Sequence, residues 1–160
     1  MKKPLRVNYP PDPNPRKPRL KVPSGAWDSH FHIIGPPHQF PYAPTRHSTP
    51  PAAPFEHYSA LAAVLGFERG VVVQSSAHGA DNAAARSDGR LRGIVLEDTI
   101  HDGGDVKKLK AAGVIGVRLN VGAHDSELPF EPARYDNILA AAADASWIVA
   151  LHFDPDNIIK

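Results

Sequence analysis

Residues 26–33, Ala26-Trp27-Asp28-Ser29-His30-Phe31-His32-Ile33, read as a short strand that carries His-x-His near its end. Side chains alternate faces along a strand, so His30 and His32 project the same way, and Asp28 is expected to join them. Two strand steps separate the two α-carbons by roughly 6.6 Å. Both imidazoles can then lean onto one metal ion at roughly 2.0–2.1 Å. The plainer alternative is a pair of polar residues on a solvated strand face. The rest of the chain favours the first reading.

Downstream lies a proline-rich and aromatic loop from Gly35 to about Pro54, too long for a simple connection. Phe40 and Tyr42 within it predict packing rather than disorder. Pro54 is suited to open a helix. Phe55, Tyr58, Leu61, Ala62 and Leu65 follow at helical spacing, and Gly66 supplies the stop. Val71-Val72-Val73-Gln74 is a continuous apolar run, the pattern of a buried parallel strand. A short crossover from about Ala80 to Asp88 leads to a third strand, Leu91–Glu97. A helix is expected over Asp105–Ala112, closed by Gly113, and a fourth strand over Val114–Asn120. Pro132 opens another helix with Tyr135, Ile138, Leu139 and Ala142 as its apolar stripe. A fifth strand, Trp147–His152, precedes what reads as the start of a further helix.

Strands alternating with helices at this spacing define βαβ units and a parallel sheet. No G-x-G-x-x-G follows the first strand, which removes support for a dinucleotide fold. Polar residues instead gather at the C-terminal strand ends: His30 and His32, Gln74 and Ser75, Glu97 and Asp98, Arg118 and Asn120, then His152. That placement is the active-site habit of a (β/α)8 barrel, which typically takes about 250 residues. The expected fold is therefore α/β, a barrel of the (β/α)8 TIM type truncated to about its first five strands. Residues 25–160 make up this partial barrel. Residues 1–24 hold seven prolines and several basic residues. They are expected to be extended or disordered, or to lie as a strap across the barrel.

The totals narrow the function classes. One domain is expected from 160 residues, of which 42% are hydrophobic. A net charge of +1 gives no electrostatic case for a nucleic-acid partner. No apolar run approaches the roughly 20 residues of a membrane helix. Lys2, Lys3 and Arg6 are followed by no apolar core of a secretory signal. With no cysteine there is neither a disulfide framework nor a thiolate metal site. A cytoplasmic location is the default expectation.

Several segments together resemble the amidohydrolase superfamily, in particular its amidohydrolase-related branch with the pyrone-dicarboxylate lactonase and sulfomuconolactone hydrolase types. They are PPDPNPRKPRLKVPSGAWDSHFHIIGPPHQFPYAP, LGFERGVVVQSSAHGADN, GRLRGIV, AAGVIGVRLN and WIVALHFDP, spread over about residues 9–160. The resemblance implies a hydrolase acting on a lactone or other cyclic ester of a carboxylated small molecule. It implies that His30, His32 and His152 are catalytic and could ligate a divalent metal, Zn or Mn, although some relatives of this type polarise the carbonyl without metal. Arg118 corresponds to an arginine near substrate carboxylates, and Gln74 and Ser75 to the rim of the substrate pocket. A histidine on a sixth strand and an aspartate on an eighth, which handles the proton of the attacking water, belong to the same pattern. Neither strand is found in this sequence. The chain is thus expected to be an inactive fragment whose open barrel self-associates or aggregates. Alternatives are a decarboxylase of the same superfamily, or a non-enzymatic piece that needs a partner chain.

Other polar residues carry plainer expectations. Arg118 could pair internally with Glu97 or Asp98. His78, Asp81 and Asn82 fit a capping or turn role. His38, His47, His57, His101 and His124 read as surface residues. Lys107, Lys108 and Lys110 form a solvated helix face.

Overall fold

The computed structural model describes residues 6–46, 48–79, 89–101, 104–121 and 132–153. Short strands β1 (Arg6–Val7) and β3 (Ser48–Thr49) flank the first long one, β2 (Trp27–Phe31). Helix α1 (Phe55–Leu65) leads to β4 (Arg69–Val73), and β5 (Leu91–Leu96) runs directly into a short helix, α2 (Glu97–His101). Then come α3 (Val106–Ala111), β6 (Val114–Val121), α4 (Asp136–Ala145) and β7 (Ile148–Phe153). Strands β2, β4, β5, β6 and β7 pair in that order, every pair parallel. The result is a curled half-barrel in which each strand lies beside its successor in the chain. The expected short crossover and the stretch Gly122–Pro129 fall at residues 80–88 and 122–131, outside the described residues. So does the expected helix start at 154–160.

The two faces of the sheet separate by residue parity. Val95, Val117 and Leu119 turn outward, where they pack with Tyr135, Ile138, Ala142, Ala145 and Trp147. Burying one such aliphatic side chain contributes about 1.5–3 kcal/mol, which is why the i, i+4 pair Ile138 and Ala142 holds α4 against the sheet. Arg118 and Asn120 alternate with Val117 and Leu119 and so face inward, and Asn120 is the ladder partner of His152. At the other end, α1 starts after Pro54 and stops at Gly66, whose φ of 90° would strain any other residue. Its Tyr58 stacks on Phe31 with ring centroids 3.4 Å apart. A Cβ at Gly70 would come within 2.8 Å of the Phe31 ring, so the missing side chain makes room for this stack.

The first strand differs from expectation in one respect. Asp28 pairs with Gly70 and Phe31 with Val72, so three steps along β2 match two along β4. The extra residue is a bulge that reverses side-chain parity within the strand. Asp28 therefore shares the helix-side face with Phe31, where its charge helps, after burial, to raise the Tyr58 pKa to about 12. His30 and His32 occupy the opposite face without it. The Asp28 carboxylate instead accepts the His30 N–H at 3.1 Å, closing a local turn at the bulge.

The N-terminal segment reaches the long loop as a strap. Arg6 pairs with Ser48 and Val7 with Thr49 in a parallel two-stranded ladder. The loop is fixed at several further points. Ile34 and Ala53 exchange backbone hydrogen bonds, Ala43 N–H donates to Ala77 O at 2.8 Å, and the Tyr42 hydroxyl donates to Pro50 O at 2.6 Å. Among the described residues, no helix is long and apolar enough to cross a membrane.

Candidate functional site

Parallel pairing brings the C-terminal ends of all five strands to one rim, and the polar residues named from the sequence collect there. The His30 and His32 rings meet edge to face, with centroids 5.0 Å apart. Nδ1 of His32 lies 2.8 Å from Val73 O. A carbonyl can only accept, so Nδ1 carries the proton and Nε2 presents a lone pair. The open concave face leaves His32 accessible surface, but protein surrounds much of the ring. Burial lowers its pKa, with smaller contributions in the same direction from the charges of His30 and Arg118, while the bond to Val73 opposes them.

Arg118 lies within electrostatic reach of His32 and is bonded toward the far strand. Its Nε donates to Asn120 Oδ1 at 3.0 Å, and its Nη2 stands 3.3 Å from His152 Nδ1. That His152 nitrogen also lies 3.2 Å from Asn120 Oδ1. These hydrogen bonds involve Asn120 and His152 and not Glu97 or Asp98, the internal partners considered from the sequence. Arg118 is only 8% exposed, and burial lowers the pKa of its guanidinium, which Glu97 partly offsets.

His30, His32 and His152 are the residues that the resemblance assigns to a metal. Among the described residues, no group of three or more His, Cys, Asp or Glu side chains is arranged to hold a metal ion. A cation also lies beside His152, at the position where a second cation would be repelled. Of the three, His32 has its tautomer fixed by the bond to Val73, as a metal ligand would.

Gln74 and Ser75 take different positions. Gln74 is 3% exposed and its side-chain amide donates to Gly79 O at 3.3 Å, bracing the turn after β4. Ser75 caps that turn, accepting Ala77 N–H at 3.2 Å, and borders a cavity that His32 also lines.

Two residues near the site make bonds that the sequence pattern did not specify. His78 is buried inside the turn. Its Nε2 accepts Gly35 N–H at 3.2 Å and its Nδ1 faces Pro41 O at 3.3 Å, pinning the long loop to the end of β4. Glu97, at the start of α2, accepts Asn120 N–H at 2.9 Å. Its carboxylate thus extends the ladder past the end of β5 and steadies Asn120 beside Arg118. His38, His57 and His101 are exposed, as expected, while His47 and His124 lie outside the described residues.

Glu97 supplies a pH test. Burial raises its pKa above the ordinary carboxylate value, an effect that the Asn120 hydrogen bond only partly offsets. The folded state therefore holds this proton more tightly than the unfolded chain. The stability it contributes is complete below the unfolded value and is lost as pH rises through the folded one. Glu97→Gln keeps an acceptor for Asn120 and removes the charge. The variant should melt above the parent at neutral pH, and the difference should shrink toward about pH 4. Thermal unfolding by circular dichroism at the two pH values measures it. A gap that widens on acidification would reverse the sign of the argument.

The curled parallel half-barrel, with His30 and His32 at the end of its first long strand and Arg118 and His152 on later ones, has the layout of a partial amidohydrolase-type barrel. The amidohydrolase family model matches residues 27–159, and the chain belongs to that family. It is 38% identical over 140 residues to the 4-sulfomuconolactone hydrolase of Hydrogenophaga intermedia, covering 84% of this chain and 46% of the relative. It is likewise 38% identical over 149 residues to the 2-pyrone-4,6-dicarboxylate hydrolase of Comamonas testosteroni, covering 88% of this chain and 48% of the relative. A crystal structure of a probable 2-pyrone-4,6-dicarboxylic acid hydrolase from Acinetobacter baumannii, with citric acid bound, superposes with a TM-score of 0.67. There the identity is 26%, over 84% of this chain and 52% of that one. The chain spans about half the length of the curated relatives it matches.

Proposed function

We propose that this chain is the N-terminal half of a (β/α)8-barrel hydrolase that opens a lactone bearing a carboxylate, and that the 160-residue polypeptide by itself is inactive. The observation that carries the substrate class is Arg118. A buried guanidinium faces the inside of the half-barrel, its hydrogen bonds among the described residues involve Asn120 and His152 rather than a carboxylate, and it is close enough to His32 to shift its pKa. Such a cation is suited to hold a carboxylate through charge-assisted hydrogen bonds.

Hydrolysis adds water across the ring ester. The water oxygen bonds to the carbonyl carbon, the carbon–oxygen bond of the ring breaks, and a proton ends on the released alkoxide. Arg118 holds the carboxylate and so fixes the carbonyl against the histidine pair. Neutral His32 offers the Nε2 lone pair to a water proton. The carboxylate that moves the proton to the leaving group belongs, by resemblance, to a later strand than these five.

The reading is tested by titrating the chain with a carboxylated lactone and with its methyl ester. The acid should bind and the ester should not. Equal binding of the two would remove Arg118 from the site.

A further inference from the structure

Strand β6 runs past the end of β5. Their last ladder pair is Leu96 with Arg118, and Asn120 lies two residues beyond it. The Glu97 carboxylate takes over there by accepting the Asn120 N–H at 2.9 Å. The Asn120 side chain turns to the other charge. Its Oδ1 accepts Arg118 Nε–H at 3.0 Å and lies 3.2 Å from His152 Nδ1. One neutral residue is thus bonded to a carboxylate through its backbone and to a guanidinium through its side chain.

Glu97 and Arg118 are otherwise suited to pair with each other. They are 6% and 8% exposed, and the Glu97 charge already acts on Arg118. Opposite charges attract strongly when water is excluded. A guanidinium committed to an internal carboxylate has little charge left for a ligand. The Asn120 oxygen engages the Nε side of Arg118 without that cancellation. Nη1 takes part in neither hydrogen bond of Arg118, so the end of the fork stays open to the two oxygens of a carboxylate.

We propose that Asn120 is a positioning residue: its amide holds Arg118 away from Glu97 and so keeps the guanidinium charge for the substrate. The proposal rests on the reading of Arg118 as the group that binds the substrate carboxylate. Without the amide, a buried Nε–H is left with no acceptor, which is unfavourable. The guanidinium then turns to the Glu97 carboxylate, the internal ion pair forms, and the ligand loses its partner.

The test uses the 160-residue chain and a pyrone monocarboxylate, with binding and the Arg118 Nε–H resonance followed by NMR. Asn120→Leu keeps nearly the same volume and removes the amide. It should bind the acid at least tenfold more weakly than the parent, and its Nε–H resonance should move before any ligand is added. Asn120→Ala, which adds no bulk, should behave in the same way. Adding Glu97→Gln to either variant removes the competing charge and should recover most of the lost affinity. A merely structural role for Asn120 gives no such rescue. If both single variants bind the acid as the parent does, the Asn120 proposal is overturned and the Arg118 site stands. If the loss persists after Glu97→Gln, Arg118 does not turn to Glu97 and the proposal is likewise overturned. If the parent itself fails to bind the acid, the reading of Arg118 fails and takes the proposal with it.

Discussion

The 160-residue polypeptide, purified alone, should self-associate and show no measurable lactone turnover. In the five-stranded sheet β2 and β7 are both edges, and an edge strand presents backbone donors and acceptors to any chain that can pair with them. The β7 edge is also apolar on both faces. Ile148 is 54% exposed and Leu151 59%, with Val149 and Phe153 beside them. A patch of that kind drives association. Turnover is expected to fail for a separate reason: the loss of a positioned acid–base group typically costs 10²–10⁴-fold in rate. Light scattering behind size exclusion checks the first part and a ring-opening assay the second. Val149→Lys with Leu151→Lys should move the population toward monomer. A parent chain that runs as a monomer and opens a carboxylated lactone would contradict both halves of the expectation.

Arg118→Met should lower affinity for a carboxylated lactone by at least tenfold, since a hydrogen bond to a charged group is worth about 1.5–3 kcal/mol. It should also change His32. The Arg118 charge is one of the causes that hold the His32 pKa down, so removing it should let that pKa rise. Arg118→Lys should restore most of the effect on His32 through charge, and less of the ligand affinity, because an ammonium lacks the planar fork of the guanidinium. Titration of the ring by NMR, with and without ligand, separates the two effects. An unchanged His32 titration in Arg118→Met would show that the arginine does not act at the histidines.

The strand ladder and its rim were legible because parallel βαβ units write themselves as apolar runs separated by helical stripes. β5, β6 and β7 each lie within one residue of the bounds expected from pattern, and β4 within two. The side of Asp28 was not legible, since a one-residue bulge leaves the hydrophobic pattern of β2 almost unaltered and yet reverses parity. Glu97 was placed at the end of a strand. The structure starts a helix there instead, because the carboxylate itself completes the ladder to Asn120. Asn120 was within reach of sequence reasoning: it stands two residues after Arg118 on the same strand, and hence on the same face. His78 was out of reach, because its role depends on how a twenty-residue loop folds back on the turn after β4, and no periodicity encodes that path.

On the proposed function, His32 and Arg118 form one binding site for a carboxylated lactone at the open rim of the sheet. Its most direct measurement is an NMR titration of the chain with the lactone acid and with its methyl ester, following the histidine rings and the Arg118 Nε–H. The acid should shift His30, His32, His152 and Arg118 together along a single binding curve, and the ester should shift none of them. An acid that moves only the exposed His38 and His57, or an ester that moves the four as strongly as the acid, would contradict the account.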